Sequence, residues 1–418
     1  MRILLVHQYF LPKDQAEGNR WNRMTKVWAE MGHEVTVISG MYNLATSEKY
    51  SWCKGKLICR EDYSDNINVL RAYTSESYNK NFLCRAWAYF TVMFFGLWAA
   101  VFYAKGKYDV VLATSPPLTV GPIGVLIAKA KRAPFVFEVR DLWPESAIDT
   151  GVLANPILIK ILYWMERFSY KHAAFINALT PAFVDKLVKN KGIPADRVWM
   201  IPNAADLDVI QPGPVNQEIR KRHDWGDKFV ALYTGAHGKA NCLWQLIETA
   251  KFLRDDPRFL IVCLGSGMER DALMQKAGEE GLTNIQFLPP VSKGEVALYL
   301  NACDVTAIVL KKVDTFKTVY PNKMFDSMSA AKPIVLGIDG VARKLVVDQA
   351  HCGTFVEPEN AQAIADAMRM YCENPDILKQ QGQSGYEYVK ANYDRRELAE
   401  KYMDLIQQGV GKPEEIGN

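Results

Sequence analysis

"FLIVCLGSGMERDALMQ", residues 259–275, opens with six consecutive apolar residues, turns on Gly265-Ser266-Gly267 and continues into a helical pattern. A run without polar alternation reads as a strand covered on both faces, and such strands belong to parallel sheets whose crossovers are helices. Similar units flank it. "FVALYTG" and a helix from Leu243 to Leu253 come before; a helix from Glu269 to Glu280, "IQFLPP", "VTAIVL" and "PIVLGI" come after. An earlier series runs "RILLVHQYF", a helix over Arg20 to Met31, "EVTVISG", an aromatic helix, "DVVLAT", a helix over Gly121 to Lys131, and "PFVFEVRD", with residues 43–66 read as a polar loop or small excursion. The chain is therefore α/β, with two parallel sheets. Between the series "WMIPNAADLDVIQPGP", with its three prolines, is the linker. Ligands of open parallel sheets bind beyond the carboxyl ends of the strands, so the chemistry is sought in those loops, around a shared central cleft.

Length and composition agree with two cores, since 418 residues of which 49% are hydrophobic exceed what one core usually holds. A formal charge of +3 and the absence of any long run of like charges argue against nucleic acid as a partner. The eight cysteines are scattered without a CxxC pair, which suits a reducing cytosol better than a disulfide framework. "MRILLVHQYF" lacks the pattern of a signal peptide and reads as a first strand.

"AWAYFTVMFFGLWAAVFYA", residues 86–104, is long and uncharged enough to be a transmembrane candidate by length. Directly after it comes "YDVVLATSPP", a strand that should join the sheet containing the earlier strands, and a spanning helix would divide that sheet between two sides of a bilayer. Two further readings stand beside the span: a helix packed on the core, and one whose outer aromatic face also rests in a membrane interface. Lys80, Arg85, Lys105 and Lys107 flank the segment and suit anionic lipid, though basic residues are also ordinary at helix ends.

Three stretches carry chemistry. Gly265 and Gly267 lie where free N–H groups and a helix dipole could face a phosphate or nucleoside, but Arg270 stands in place of the third glycine of a dinucleotide fingerprint. "TGAHGKAN", residues 234–241, lacks the Ser or Thr and the spacing of an ATP-type phosphate loop; Gly235 and Lys239 suit a pyrophosphate without a metal, and the plain alternative is a solvent-facing lysine. In "YPNKMFDSMSAAKP", residues 320–333, Asn322 can cap a helix on which Lys323 and Asp326 share a face. A carboxylate facing a cleft accepts two hydroxyl hydrogens, as a ribose cis-diol offers, and a lysine near the helix N-terminus suits phosphate; the plain alternative is an Asp–Lys pair on a wet surface. Asp206-Leu-Asp208 could hold a divalent cation, but it falls in the linker away from a phosphate loop, and no metal is expected. The six histidines show no ligand spacing.

The run from Asp326 to Pro333-Ile-Val resembles the "E-A-x-A-x-G-x-P-V" signature of retaining nucleotide-sugar glycosyltransferases of family four, which have the two-Rossmann GT-B fold. "MGHEVTVISG" is similar to that family's second strand, "IPNAADLDVIQP" to its "IPNGVDxxxFxP" linker and "FLIVCLGSGMERDAL" to its "LxIVGxGPxxxxL". "EVRDLWPES" and "PNKMFD" look most like a subgroup of bacterial surface-polysaccharide transferases that includes N-acetyl-L-fucosaminyl transferases.

The resemblance implies an acceptor-binding domain over residues 1–205, completed by a C-terminal helix near 396–418, and a nucleotide-sugar-binding domain over 206–395. It implies that Asp326 binds the donor ribose, in place of the second glutamate of the family's E-x7-E motif; Thr318 stands where the first would be. Arg140-Asp141 replaces the family's His-Asp, which makes Asp141 the candidate for orienting the acceptor or donor sugar, with Arg140 beside it on the acceptor side. Gly18 and Asn19 match the glycine loop approached by the donor pyrophosphate, and Lys239, with Lys323, stands for the family's phosphate-binding pair. Asp141 and Lys239 are thus the catalytic candidates, and Gly18, Asn19, Gly235, Lys239, Gly265, Gly267, Asn322, Lys323 and Asp326 the donor site. The implied reaction is retaining and needs no metal or other cofactor. It moves a sugar, an N-acetylhexosamine or its 6-deoxy form, from a UDP-sugar to a polyprenyl-diphosphate-linked saccharide at the inner face of the cell membrane. A sugar-nucleotide epimerase of the same fold and a non-catalytic assembly subunit are the alternatives.

Overall fold

The computed structural model describes residues 1–13, 19–43, 48–75 and 82–410. The chain forms two compact units, one of Met1–Ile201 together with the segment from Arg396 onward, the other of Pro202–Arg395.

The first unit holds an eight-stranded sheet. Its strands are β1 (Arg2–Val6), β2 (Glu34–Gly40), β5 (Ile58–Ser64), β6 (Ile67–Ala72), β7 (Val110–Ser115), β8 (Phe135–Val139), β9 (Phe175–Ala178) and β10 (Val198–Met200), in the order β10-β9-β8-β7-β1-β2-β6-β5; β3 (Tyr42–Asn43) and β4 (Glu48–Lys49) form a separate antiparallel pair. All pairings in the large sheet are parallel except β5 with β6. That edge corrects the loop expected over 43–66: "ICREDYS" alternates, burying Cys59 and Tyr63 while turning charge outward, which suits an edge strand. β1 is shorter than "RILLVHQYF" suggested. It stops at Val6, so His7 and Gln8 lie beyond the strand, buried at its carboxyl end.

The aromatic segment is the helix Phe82–Phe102, packed beside the helix Val120–Lys131, which in turn packs on the helix Pro156–His172. Among the described residues no helix is long and apolar enough to cross a membrane, so the spanning reading is set aside. Ala88, Val92, Ala99 and Ala100 face inward. The helix Arg395–Val410 returns to this unit: Trp28 Nε1 donates to the Ala399 carbonyl at 2.8 Å, and the Tyr402 ring lies 5.7–6.4 Å from Trp28, Trp21 and Trp199.

The second unit carries a six-stranded parallel sheet, β13-β12-β11-β14-β15-β16, built from β11 (Phe229–Thr234), β12 (Phe259–Leu264), β13 (Ile285–Leu288), β14 (Val305–Val309), β15 (Ile334–Gly337) and β16 (Gly353–Phe355). β12, β14 and β15, apolar except for Thr306, are buried on both faces, as a parallel sheet between helices requires. Two chain segments at its border are bound together: Ala205 bridges Asp394, and Arg395 reaches the Ala204 carbonyl at 2.7 Å and both carboxylate oxygens of Asp206 at 2.5 and 3.3 Å. Asp206 is thereby committed to a guanidinium.

Candidate active site

In the second unit the loops after β11 and β12 lock into each other. A Cβ on Gly265 would lie 1.9 Å from the Gly235 carbonyl oxygen, and one on Gly267 would lie 2.4 Å from that of His237, so both positions exclude any side chain. The first demand on these glycines therefore comes from the neighbouring loop, not from a ligand. Nor are all their amides free: Gly235 N–H donates to Leu264 and Gly265 N–H to Leu288, each at 3.0 Å. The donors left over are the next ones along. Among the described residues, no partner takes the amides of Gly238, Lys239 and Ala240 after β11, or of Ser266, Gly267 and Met268 after β12. Turns with consecutive unpaired N–H groups are ready anion sites.

Lys323 comes up to this loop from the helix Asn322–Ser329. Its Nζ is 3.9 Å from the centroid of Tyr233 and 3.3 Å from Asn241 Oδ1, and it would be 3.5 Å from a Cβ on Gly235. Among the described residues it has no carboxylate partner. Burial lowers its pKa to about 7. Lys239 is exposed on the same loop. His237 is fully buried between Tyr233 and Phe287, and neither ring nitrogen has a partner among the described residues; burial, then the charges of Arg270 and Lys323, lower it to about 4.

Asn322 does not cap its helix. Pro321 takes the N-cap position, its carbonyl accepting from Met324 at 3.0 Å, and Asn322 is an exposed first residue with no capping side chain at this end. The Lys323–Asp326 surface pair is also absent. Lys323 turns to Tyr233, while Asp326, 12% exposed, binds Lys293 through Oδ1 at 2.5 Å. Lys293 Nζ is 3.9 Å from Asp206. Thr318 is buried, its hydroxyl donating to the Thr315 carbonyl at 2.6 Å.

The strand ends of the first unit form a second polar cluster. Asn19 caps the helix Arg20–Glu30 by accepting from Trp21 N–H at 2.9 Å; its own amide donates to Tyr9 O at 3.1 Å and lies 3.4 Å from His7 Nε2. Gly18 and Lys80 lie outside the described residues, as does the Arg85 side chain. Beneath the cluster Glu138 is saturated by Arg20, Trp21, Thr114 and Asn177 at 3.0–3.3 Å, a wholly buried anchor. Asp141 follows the end of β8. Burial raises its pKa to about 6, against the pull of Arg140. His7 was not marked by any motif, yet it is buried with Nδ1 lacking a partner among the described residues, and burial with the Arg140 charge lowers it to about 3. It is neutral in this setting.

Comparison with known proteins follows the same division. Residues 17–204 match the model of the glycosyl transferase 4-like domain, and residues 215–388 match that of glycosyl transferases group 1. The chain belongs to the family-four glycosyltransferases. This glycosyltransferase is 24% identical over 430 residues to a protein of Escherichia coli K12 named as a colanic acid biosynthesis glycosyl transferase, WcaI, covering 97% of this chain and all of that one. Among solved structures, sucrose-phosphate synthase from Thermosynechococcus elongatus superposes with a TM-score of 0.76 at 15% identity, covering 98% of each chain. HepE of Anabaena, solved with UDP and glucose, gives 0.72 at 14% identity, covering 98% of this chain and all of the other. The fold is GT-B.

Proposed function

We propose that this glycosyltransferase takes a UDP-sugar at the strand ends of its second unit and transfers the sugar, with retention, to a lipid-linked saccharide in bacterial surface-polysaccharide synthesis. The observation that carries the reading is Lys323: an ammonium without a carboxylate partner among the described residues, held at the glycine loop after β11, on the same helix as Asp326. The free amides of residues 238–240 add donors for the same diphosphate. HepE, of the same fold, was solved with UDP, and WcaI is named for polysaccharide synthesis.

Chemically, charge builds on the leaving diphosphate as the anomeric bond loosens. Lys323, Lys239 and the amides beside them are suited to stabilise it without a metal. In same-face transfer the leaving phosphate takes the acceptor proton, so a carboxylate at position 318 is not needed. On the first unit Asp141 orients the acceptor hydroxyl.

The acceptor end favours a membrane. Trp87, Phe90, Phe94, Trp98, Val101 and Phe102 form an exposed stripe on the aromatic helix, and Ile157, Ile161 and Trp164 are exposed on the helix Pro156–His172. These amphipathic aromatic faces, with Lys105 and Lys107 at one end, are suited to the interface of an anionic leaflet. The test is UDP release with and without a polyprenyl-diphosphate-linked saccharide. Acceptor-dependent release carries the proposal; epimerised nucleotide sugar, or nucleotide binding without turnover, overturns it.

A further inference from the structure

Lys293 breaks a local rule. It is the first residue of the helix Lys293–Ala302, whose end is closed by a capping box between Ser292 and Glu295, and a cation at the positive end of a helix dipole is unfavourable. It is also 87% buried, where an ammonium is retained only with partners. Such local conflicts concentrate at functional positions.

Its partners are incompletely matched. Arg395 already takes both oxygens of Asp206, leaving Lys293 at 3.9 Å, too far for a hydrogen bond. Of the three N–H donors of Lys293, one goes to Asp326 Oδ1, and among the described residues the others have no acceptor. Among the described residues the Asp326 carboxylate has no hydrogen-bond or ion-pair partner besides Lys293, so its Oδ2 still has an acceptor site. One side chain has donors to spare and the other an acceptor. A vicinal diol is the complement: each hydroxyl offers one hydrogen and its own lone pairs. A lone carboxylate would take only the hydrogens.

We infer that Lys293 is a second side chain of the nucleoside site, donating to a ribose hydroxyl oxygen while Asp326 accepts the hydroxyl hydrogens, so that the ion pair reads the diol as a unit. This rests on the proposal that Asp326 faces the donor ribose. It makes Lys293 a determinant of ribose over 2′-deoxyribose.

The experiment is calorimetric titration of the full chain with UDP and with 2′-deoxy-UDP. The wild type is expected to bind UDP at least about tenfold more tightly, and K293M to narrow that ratio to about twofold, as lost charge-assisted hydrogen bonds dictate. Because K293M leaves the Asp326 carboxylate without its cation, while Asp206 keeps Arg395, the decisive comparison is D326N with K293M/D326N, where the ion pair is already broken and the double variant adds no unpaired charge. A smaller ribose preference in the double variant supports the inference. An equal preference in the two overturns it and makes Lys293 a structural tie between Asp326 and Asp206. A wild type that binds both nucleotides equally overturns the inference but leaves the nucleotide-sugar reading standing, whereas one that binds neither overturns both.

Discussion

Lys323 Nζ stands 3.9 Å above the ring of Tyr233 and meets no carboxylate among the described residues, which leaves a charge available to a ligand beside the glycine loop. With its pKa lowered to about 7, the free enzyme loses that charge as pH rises. A diphosphate binds the protonated form, so binding above pH 7 takes up a proton and UDP affinity falls by up to about tenfold per pH unit. Lys323→Met should weaken UDP binding by about tenfold or more and flatten the slope. Titration across the neutral range in buffers of different ionisation enthalpy measures both; a wild-type affinity independent of pH would falsify the assignment.

Asp326→Ala removes the proposed acceptor for the ribose hydroxyls and leaves Lys293 buried without its close partner. UDP affinity is expected to drop by about 10- to 100-fold, the range for a hydrogen bond to a charged group. Competition with a fluorescent nucleotide reads this out, and unchanged binding returns Asp326 to a purely structural pair.

Asp141, raised to about 6 by burial, should impose an acid limb on transfer. If its carboxylate orients the acceptor, the rate falls below about pH 6 as one proton is taken up, while UDP binding at the other unit does not follow. Asp141→Asn should abolish the limb together with most of the activity. A residual rate in that variant that still declines at the same pH would assign the limb elsewhere.

Gly267→Ala places a methyl 2.4 Å from the His237 carbonyl oxygen. Backbone on both sides leaves little room to yield, so a loss of about 2 kcal/mol or more is expected, seen as a lower denaturation midpoint. The same variant should bind UDP weakly, because the amides of residues 266–268 move with the loop.

Replacing Trp87, Trp98 and Trp164 with serine removes three exposed indoles without touching either strand-end cluster. Flotation with vesicles rich in anionic lipid should show most of the binding lost, while transfer to a short-chain, water-soluble acceptor is retained. Vesicle binding by the triple variant equal to the wild type would rule out this face as the contact.

What could be read from the sequence depended on how local its cause was. Continuous apolar runs such as "FLIVCL" reveal a doubly covered strand because burial on two faces leaves no room for polar residues, and the fold followed from their alternation with helices. β5 was missed because an edge strand with one wet face looks polar when counted as a whole. Glycines 265 and 267 were noticed, but their physical reason, the loop of residues 235–238 lying on them, belongs to a strand about thirty residues away. Lys293 gave no signal at all: its carboxylate partner is 33 positions further along, and nothing in "PPVSKGEV" announces it. Asn322 carried a capping signal that the proline before it overrode.

The return of the Arg395–Val410 helix to the first unit has a consequence for synthesis. Trp21 and Trp28 are made early, but the ring and carbonyl that cover them, Tyr402 and Ala399, follow some 370 residues later. The second unit, contiguous from Pro202 to Arg395, can close as it leaves the ribosome, while the first waits with two indoles uncovered. A chain released after residue 395 thus carries a finished second unit attached to an unfinished first one, a species with exposed aromatic surface for chaperones and proteases to recognise.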